Sequence, residues 1–180
     1  MATEKRLLEQ RAYLAQFGTI VDDPDKATQT FKGRTGKPVL KVKSWHSRAM
    51  DARTIRYSVT LTRPLLAFKK VLVPNNGKHF TRDLAPKRAI ATLLLPIGTT
   101  IICGGDGDMK LRADQAMVVD VTNTTGSKRY PFGAALRGYS FKYIPGETVT
   151  PEYQFGKQYK TCASGIHFFI DKKNAKSYPG

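Results

Sequence analysis

Apolar runs of a few residues, each cut short by Gly, Pro or Asn-rich turn chemistry, recur down this chain and leave little room for long helices. Thr54–Thr62 sets the pattern. Ile55, Tyr57, Val59 and Leu61 alternate with Thr54, Arg56, Ser58, Thr60 and Thr62, the period of a half-buried strand. A loop with Gly33, Gly36 and Pro38 leads into a strand at Val39–Val42. Leu65–Val73 is strand-like but less regular, and stops at Pro74-Asn75-Asn76-Gly77. Ala89–Leu95 is an apolar strand that Pro96-Ile97-Gly98 bends into Thr99–Cys103. Asp114–Val121 reads as a buried strand through Ala116, Val118 and Val119, before a turn over Thr122–Lys128. A strand beginning at Phe141 and Tyr143 ends at Pro145-Gly146, and Ile166–Ile170 is the last. Helices are expected only at the two ends. One runs over residues 3–16, with Leu7, Leu8, Ala12, Leu14 and Ala15 on one side, Thr3 as cap and Gly18 as terminator. The other runs over Lys172–Tyr178, capped by Asp171. The expected class is α+β, mainly β. It divides into an N-terminal helix plus basic strand and loop region or arm, 1–87, and a strand-rich domain ending in a short helix, 88–180.

Charge separates the two parts. The 180 residues carry a net +16 with 41% hydrophobic residues, enough to bury a core. Between Lys26 and Ala89 sixteen basic residues face only Asp51 and Asp83, a net +14, whereas the first 25 residues sum to −2 and residues 90–180 to +4. A segment this lopsided repels itself unless a counter-charge lies against it. Lys32, Arg34, Lys37, Lys41, Lys43, Trp45, Arg48, Arg53, Lys69 and Lys70 are the residues expected to contact that partner: a protein, an anionic membrane surface or nucleic acid. Phe31, Trp45, Tyr57, Phe68 and Phe80 are interleaved with basic residues, an arrangement that can stack single-stranded bases, but no zinc finger, helix-turn-helix or aromatic RNA-binding signature accompanies them.

Motifs for chemistry are weak. Gly33-Arg34-Thr35-Gly36-Lys37-Pro38 only superficially resembles a phosphate loop: its glycines stand two residues too close, and Pro38 replaces the hydroxyl that would meet magnesium. Asp106 and Asp108 are too few carboxylates for a calcium loop. Asn123-Thr124-Thr125 fits a glycosylation acceptor, but the N-terminus does not read as a secretory signal. No apolar run approaches a membrane span, and two cysteines, Cys103 and Cys162, make no disulfide framework, so the chain reads as a reduced, intracellular-type protein. Cys162 and His167 invite comparison with a thiol–imidazole pair or half a zinc site, yet no orienting third group or paired ligand spacing is visible. Packing roles for Cys162, Gly165, Ile166, His167, Phe168 and Phe169 are the simpler reading. Gly165 allows a close backbone approach, and the alternation after it makes a strand buried on both faces. No catalytic residue, cofactor, metal or small-molecule substrate is expected.

One stretch resembles a known family. Leu93-Leu94-Leu95-Pro96-Ile97-Gly98, Lys110–Val118, Phe141-Lys142-Tyr143-Ile144-Pro145-Gly146, Val149-Thr150-Pro151 and Cys162-Ala163-Ser164-Gly165-Ile166-His167-Phe168-Phe169-Ile170, followed by Ala175 and Tyr178, come in that order. Together they resemble, over residues 88–178, a domain of unknown function of large double-stranded DNA viruses. That domain is often attached to pentapeptide repeats, which are missing from this sequence. The resemblance carries no chemistry to any residue. Together with the basic region it implies a non-enzymatic structural protein of the virus particle, a minor capsid protein. It would lie in the capsid, and in the host cytoplasm before assembly. Its partners would be major and other minor capsid proteins or the inner membrane face. The alternative is a virion protein that binds nucleic acid non-specifically. An enzyme using Cys162 and His167 is the third reading.

Overall fold

Thirteen strands and two helices follow one another in the computed structural model, which describes residues 2–23, 31–32, 38–39, 56–75, 79–80, 85–104, 109–136, 139–156 and 163–179. In chain order they are α1 (Ala2–Leu14), β1 (Gly18–Asp22), β2 (Phe31–Lys32), β3 (Pro38–Val39), β4 (Tyr57–Leu61), β5 (Leu65–Val73), β6 (Lys87–Leu95) and β7 (Thr100–Cys103). Then come β8 (Leu111–Ala113), β9 (Ala116–Asn123), β10 (Gly133–Ala134), β11 (Lys142–Tyr143), β12 (Thr148–Val149), β13 (Ile166–Phe168) and α2 (Lys172–Ser177). The mainly β, α+β expectation is met.

Two antiparallel sheets hold most of them. One has the order β1-β4-β7-β8-β13 and the other β11-β10-β5-β6-β9-β12, with β2 and β3 as a separate small pair. The sheets are tied together where Phe68 and Phe169 exchange backbone hydrogen bonds, each 2.7 Å. A single apolar core takes Leu7 and Leu14 from α1, Tyr57 and Val59 from β4, Val71 from β5, Leu93 from β6, Ile101 from β7, Val118 from β9 and Phe168 from β13.

The expected boundary between 87 and 88 separates residues that contribute to this same core. The cut would fall inside β6, whose residues Lys87–Leu95 pair one for one with Val73–Leu65 of β5. Residues on the two sides of the cut supply the same core, so the described parts of 1–87 and 88–180 form one folded unit. Of the supposed arm, residues 24–30, 33–37 and 40–55 lie outside the described residues.

Three local readings also change. Leu65–Val73 is a full nine-residue strand. Leu65, Ala67, Val71 and Val73 are buried on one face, and Lys69 and Lys70 interrupt the apolar pattern, with Lys70 buried on the other face. Val119 is exposed rather than buried, because the register slips between Thr92↔Asp120 and Leu93↔Val118 and leaves it as the extra residue of a bulge. In α1 the inward face is Leu7, Gln10 and Leu14, while Leu8, Ala12 and Ala15 face solvent. Gln10 is buried because three groups use its amide. Nε2 donates to the Met109 carbonyl at 3.0 Å, and Oε1 accepts from the Tyr57 hydroxyl at 3.3 Å and from the Cys103 thiol at 3.9 Å. The second helix starts as expected: the Asp171 carboxylate accepts from Lys173 N–H at 2.8 Å.

Candidate functional site

The strand β13 runs beside β8, with Ile166 opposite Ala113, His167 opposite Arg112 and Phe168 opposite Leu111. Ile166, Phe168 and Phe169 are buried, as the two-faced reading of this string requires, and His167 is half-buried. Gly165 permits the approach. A side chain there would meet Arg112 Cβ at 2.9 Å and the Phe155 ring at 3.2 Å, at a φ of +155°. Cys162 lies outside the described residues, as do Asp106 and Asp108.

Arg112 is the largest fully buried side chain. Its Nη1 donates to the Gly156 carbonyl at 2.7 Å and the Ser164 carbonyl at 2.8 Å, and its guanidinium lies 5.1 Å from the centre of the Phe155 ring. Burial lowers its pKa. The cation thus fastens two loops by satisfying a part-buried carbonyl from each.

Beside this clasp opens a cavity of about 350 Å³, walled by Phe141, Tyr143, Tyr153, Ile166 and Tyr178 with Lys69, Lys110 and His167 among its lining. Three separate parts of the fold converge there. Lys69 comes from mid-β5, where its Nζ donates to the His167 carbonyl at 2.8 Å and stands 5.4 Å from the centre of the Tyr143 ring. Lys110, just before β8, donates to the Tyr178 hydroxyl at 3.1 Å and lies over the same ring at 5.0 Å. Desolvation, with the nearby Lys110 charge second, lowers the Lys69 pKa to about 8. Burial holds the Tyr143 hydroxyl above its ordinary pKa, so it stays a donor. Glu152 is exposed at the rim, and Ser164 Oγ closes one edge by donating to the Tyr153 carbonyl at 2.6 Å.

The partner-contact residues read from charge are distributed differently. Lys32 lies in β2, and Arg34, Lys37, Lys41, Lys43, Trp45, Arg48 and Arg53 lie outside the described residues. Lys70 is 3% exposed, and its Nζ donates to the Tyr178 carbonyl in the C-terminal segment. Lys69 faces the cavity rather than an open surface. Missed in the sequence were Lys110, Tyr178 and an exposed basic corner made by Lys87 and Arg88 at the start of β6 with Lys128 and Arg129 in the turn after β9. A dibasic pair at the start of an apolar strand, and another two residues past a glycine turn, were the available signals. The register that joins them is tertiary.

Among the described residues no cluster of three or more His, Cys, Asp or Glu could hold a metal, and no helix is long and apolar enough to cross a membrane. No curated protein and no solved structure matches the chain. One family model, described as a family of unknown function (DUF5758), matches residues 55–175. That range runs from the β4 approach into α2, taking in both sheets apart from β1, the Arg112 clasp and all but one of the residues that line the cavity. The chain belongs to this DUF5758 family.

Proposed function

We propose that the chain is a non-enzymatic structural protein of a large DNA virus particle, a minor capsid component that holds acidic faces of neighbouring capsid proteins or the inner membrane face. The observation that carries this reading is the sign imbalance: +14 within residues 26–89 against −2 before it. Among the described residues Lys87 and Arg88 of that segment are exposed, and they form a basic corner with the exposed Lys128 and Arg129 from beyond it. A β frame with a strongly basic segment attached can bury large areas against a partner of opposite charge, and gain order in doing so. The viral resemblance of the string ending in Phe168-Phe169 supports the same setting. Quantitative mass spectrometry of purified particles tests it. Many copies per particle are expected, and absence or a few copies overturns a capsid role.

Nucleic-acid binding is the second reading, and the aromatics weigh against it. Tyr57 is fully buried, Phe68 packs against the core, and Phe80 stacks on Tyr139 at 4.4 Å with Phe132 against its edge. Three of the five rings expected to stack on bases are committed to the fold. On duplex DNA, phosphate binding would still appear as a log–log salt slope of about −0.9 per contacted phosphate. A flat salt response removes this reading.

A further inference from the structure

The cavity beside β13 brings several hydrogen-bond donors together. Lys69 and Lys110 converge from different parts of the chain closely enough for the charge of one to disfavour the charge of the other. The Tyr178 hydroxyl accepts from Lys110, which leaves its own O–H to donate, and the buried Tyr143 hydroxyl remains protonated. Phe141, Tyr143, Tyr153 and Tyr178 give the walls flat apolar surface. Among the described lining residues the carboxylate is that of Glu152, at the exposed rim. Two ammonium groups on one partly enclosed cavity can both reach an anionic end, and charge-assisted bonds in such a place are the stronger kind.

We propose that this cavity binds a small organic oxyanion, a carboxylate or phosphate monoester on a planar apolar body, with Lys69 and Lys110 meeting the anionic end and the aromatic walls packing the body. The site needs nothing from the capsid reading and stands or falls separately from it.

Binding is linked to protons. An anion favours the charged form of Lys69, so its affinity is full below about pH 8, where that amine is already protonated. It falls by about tenfold between pH 7 and pH 9, because the neutral amine must first be charged. Among the described residues, the other ionisable groups facing the cavity are Lys110 before β8, Tyr143 of β11, Glu152 and Tyr153 after β12, His167 of β13 and Tyr178 after α2. His167→Gln is therefore the control: it should keep the break near pH 8.

The experiment is NMR titration of the full chain with benzoate, phenyl phosphate, inorganic phosphate and uncharged benzamide, following the side-chain signals of Lys69 and Lys110. Benzoate and phenyl phosphate should bind, benzamide should not, and inorganic phosphate should bind more weakly for want of a body. Saturation with benzoate should raise the Lys69 pKa. Lys110→Met and Lys69→Met, each checked for retained methyl dispersion, should weaken benzoate by about tenfold. The wild-type Lys69 titration needs no variant and covers the case of a variant that fails to fold. Benzamide binding as tightly as benzoate, an unmoved Lys69 pKa, or no shift with any probe at millimolar concentration would overturn the site.

Discussion

Arg112 shows how one buried charge can hold two loops together. Its guanidinium replaces water for the Gly156 and Ser164 carbonyls. Arg112→Leu keeps bulk but strands both acceptors, and should cost about 2–3 kcal/mol in urea unfolding. Gly165→Ala adds a methyl where only 2.9 Å separates it from Arg112 Cβ, at a backbone angle that side chains rarely adopt. A loss of about 1–3 kcal/mol is expected, with limited proteolysis opening at residues 151–156 first. Lys69 makes stability pH-dependent in the unusual direction. Its folded pKa, about 8, lies below the ordinary lysine value of 10.5, so the unfolded chain holds the proton more tightly between these limits. Stability from this group is lowest below pH 8 and rises toward pH 10.5. Unfolding free energies of the wild type relative to Lys69→Met should therefore climb by up to about 3 kcal/mol across that window, and a constant difference would contradict the shift.

At the scale of the element, the β9 bulge decides which of two adjacent valines is structural. Val118 is fully buried and Val119 is 46% exposed. Val119→Lys should stay within about 0.5 kcal/mol of the wild type, whereas Val118→Lys buries an unpaired charge and should abolish the folded signal in circular dichroism. The bulge was not readable from the run Ala116-Met117-Val118-Val119, because both valines suit a strand and the slip is set by pairing to Thr92 and Leu93. The caps and turns were readable. Asp171 accepts a backbone N–H as its position predicts, since that interaction is local to three residues. Leu65–Val73 looked disordered in pattern because Lys69 and Lys70 interrupt it. Their ammonium groups reach carbonyls of His167 and Tyr178, about a hundred positions away.

For the whole molecule, the shared core predicts that the proposed division does not hold. A fragment of residues 88–180 lacks β4 and β5, leaving the inner edges of both sheets and the Phe169 bridge unpaired. It should show no cooperative thermal transition, while the full chain shows one. A two-state melt of the fragment would restore the two-part organisation. Hydrogen exchange on the full chain should protect residues 116–121 and 166–169.

The sequence alone determined the mainly β class, the helices at both ends, the need for glycine at 165 and the buried character of Ile166 and Phe168. Each follows from local periodicity, backbone sterics or a cap within a few residues. Only the tertiary structure decided that β5 belongs beside β6, that Gln10 faces inward, and that Lys69, Lys110 and Tyr178 share a cavity. Those contacts span 99 positions from Gln10 to Met109 and 68 from Lys110 to Tyr178. Nothing in a local pattern encodes which distant polar group will satisfy a buried one. That choice is made when both sheets close on a single core and every donor inside must find an acceptor.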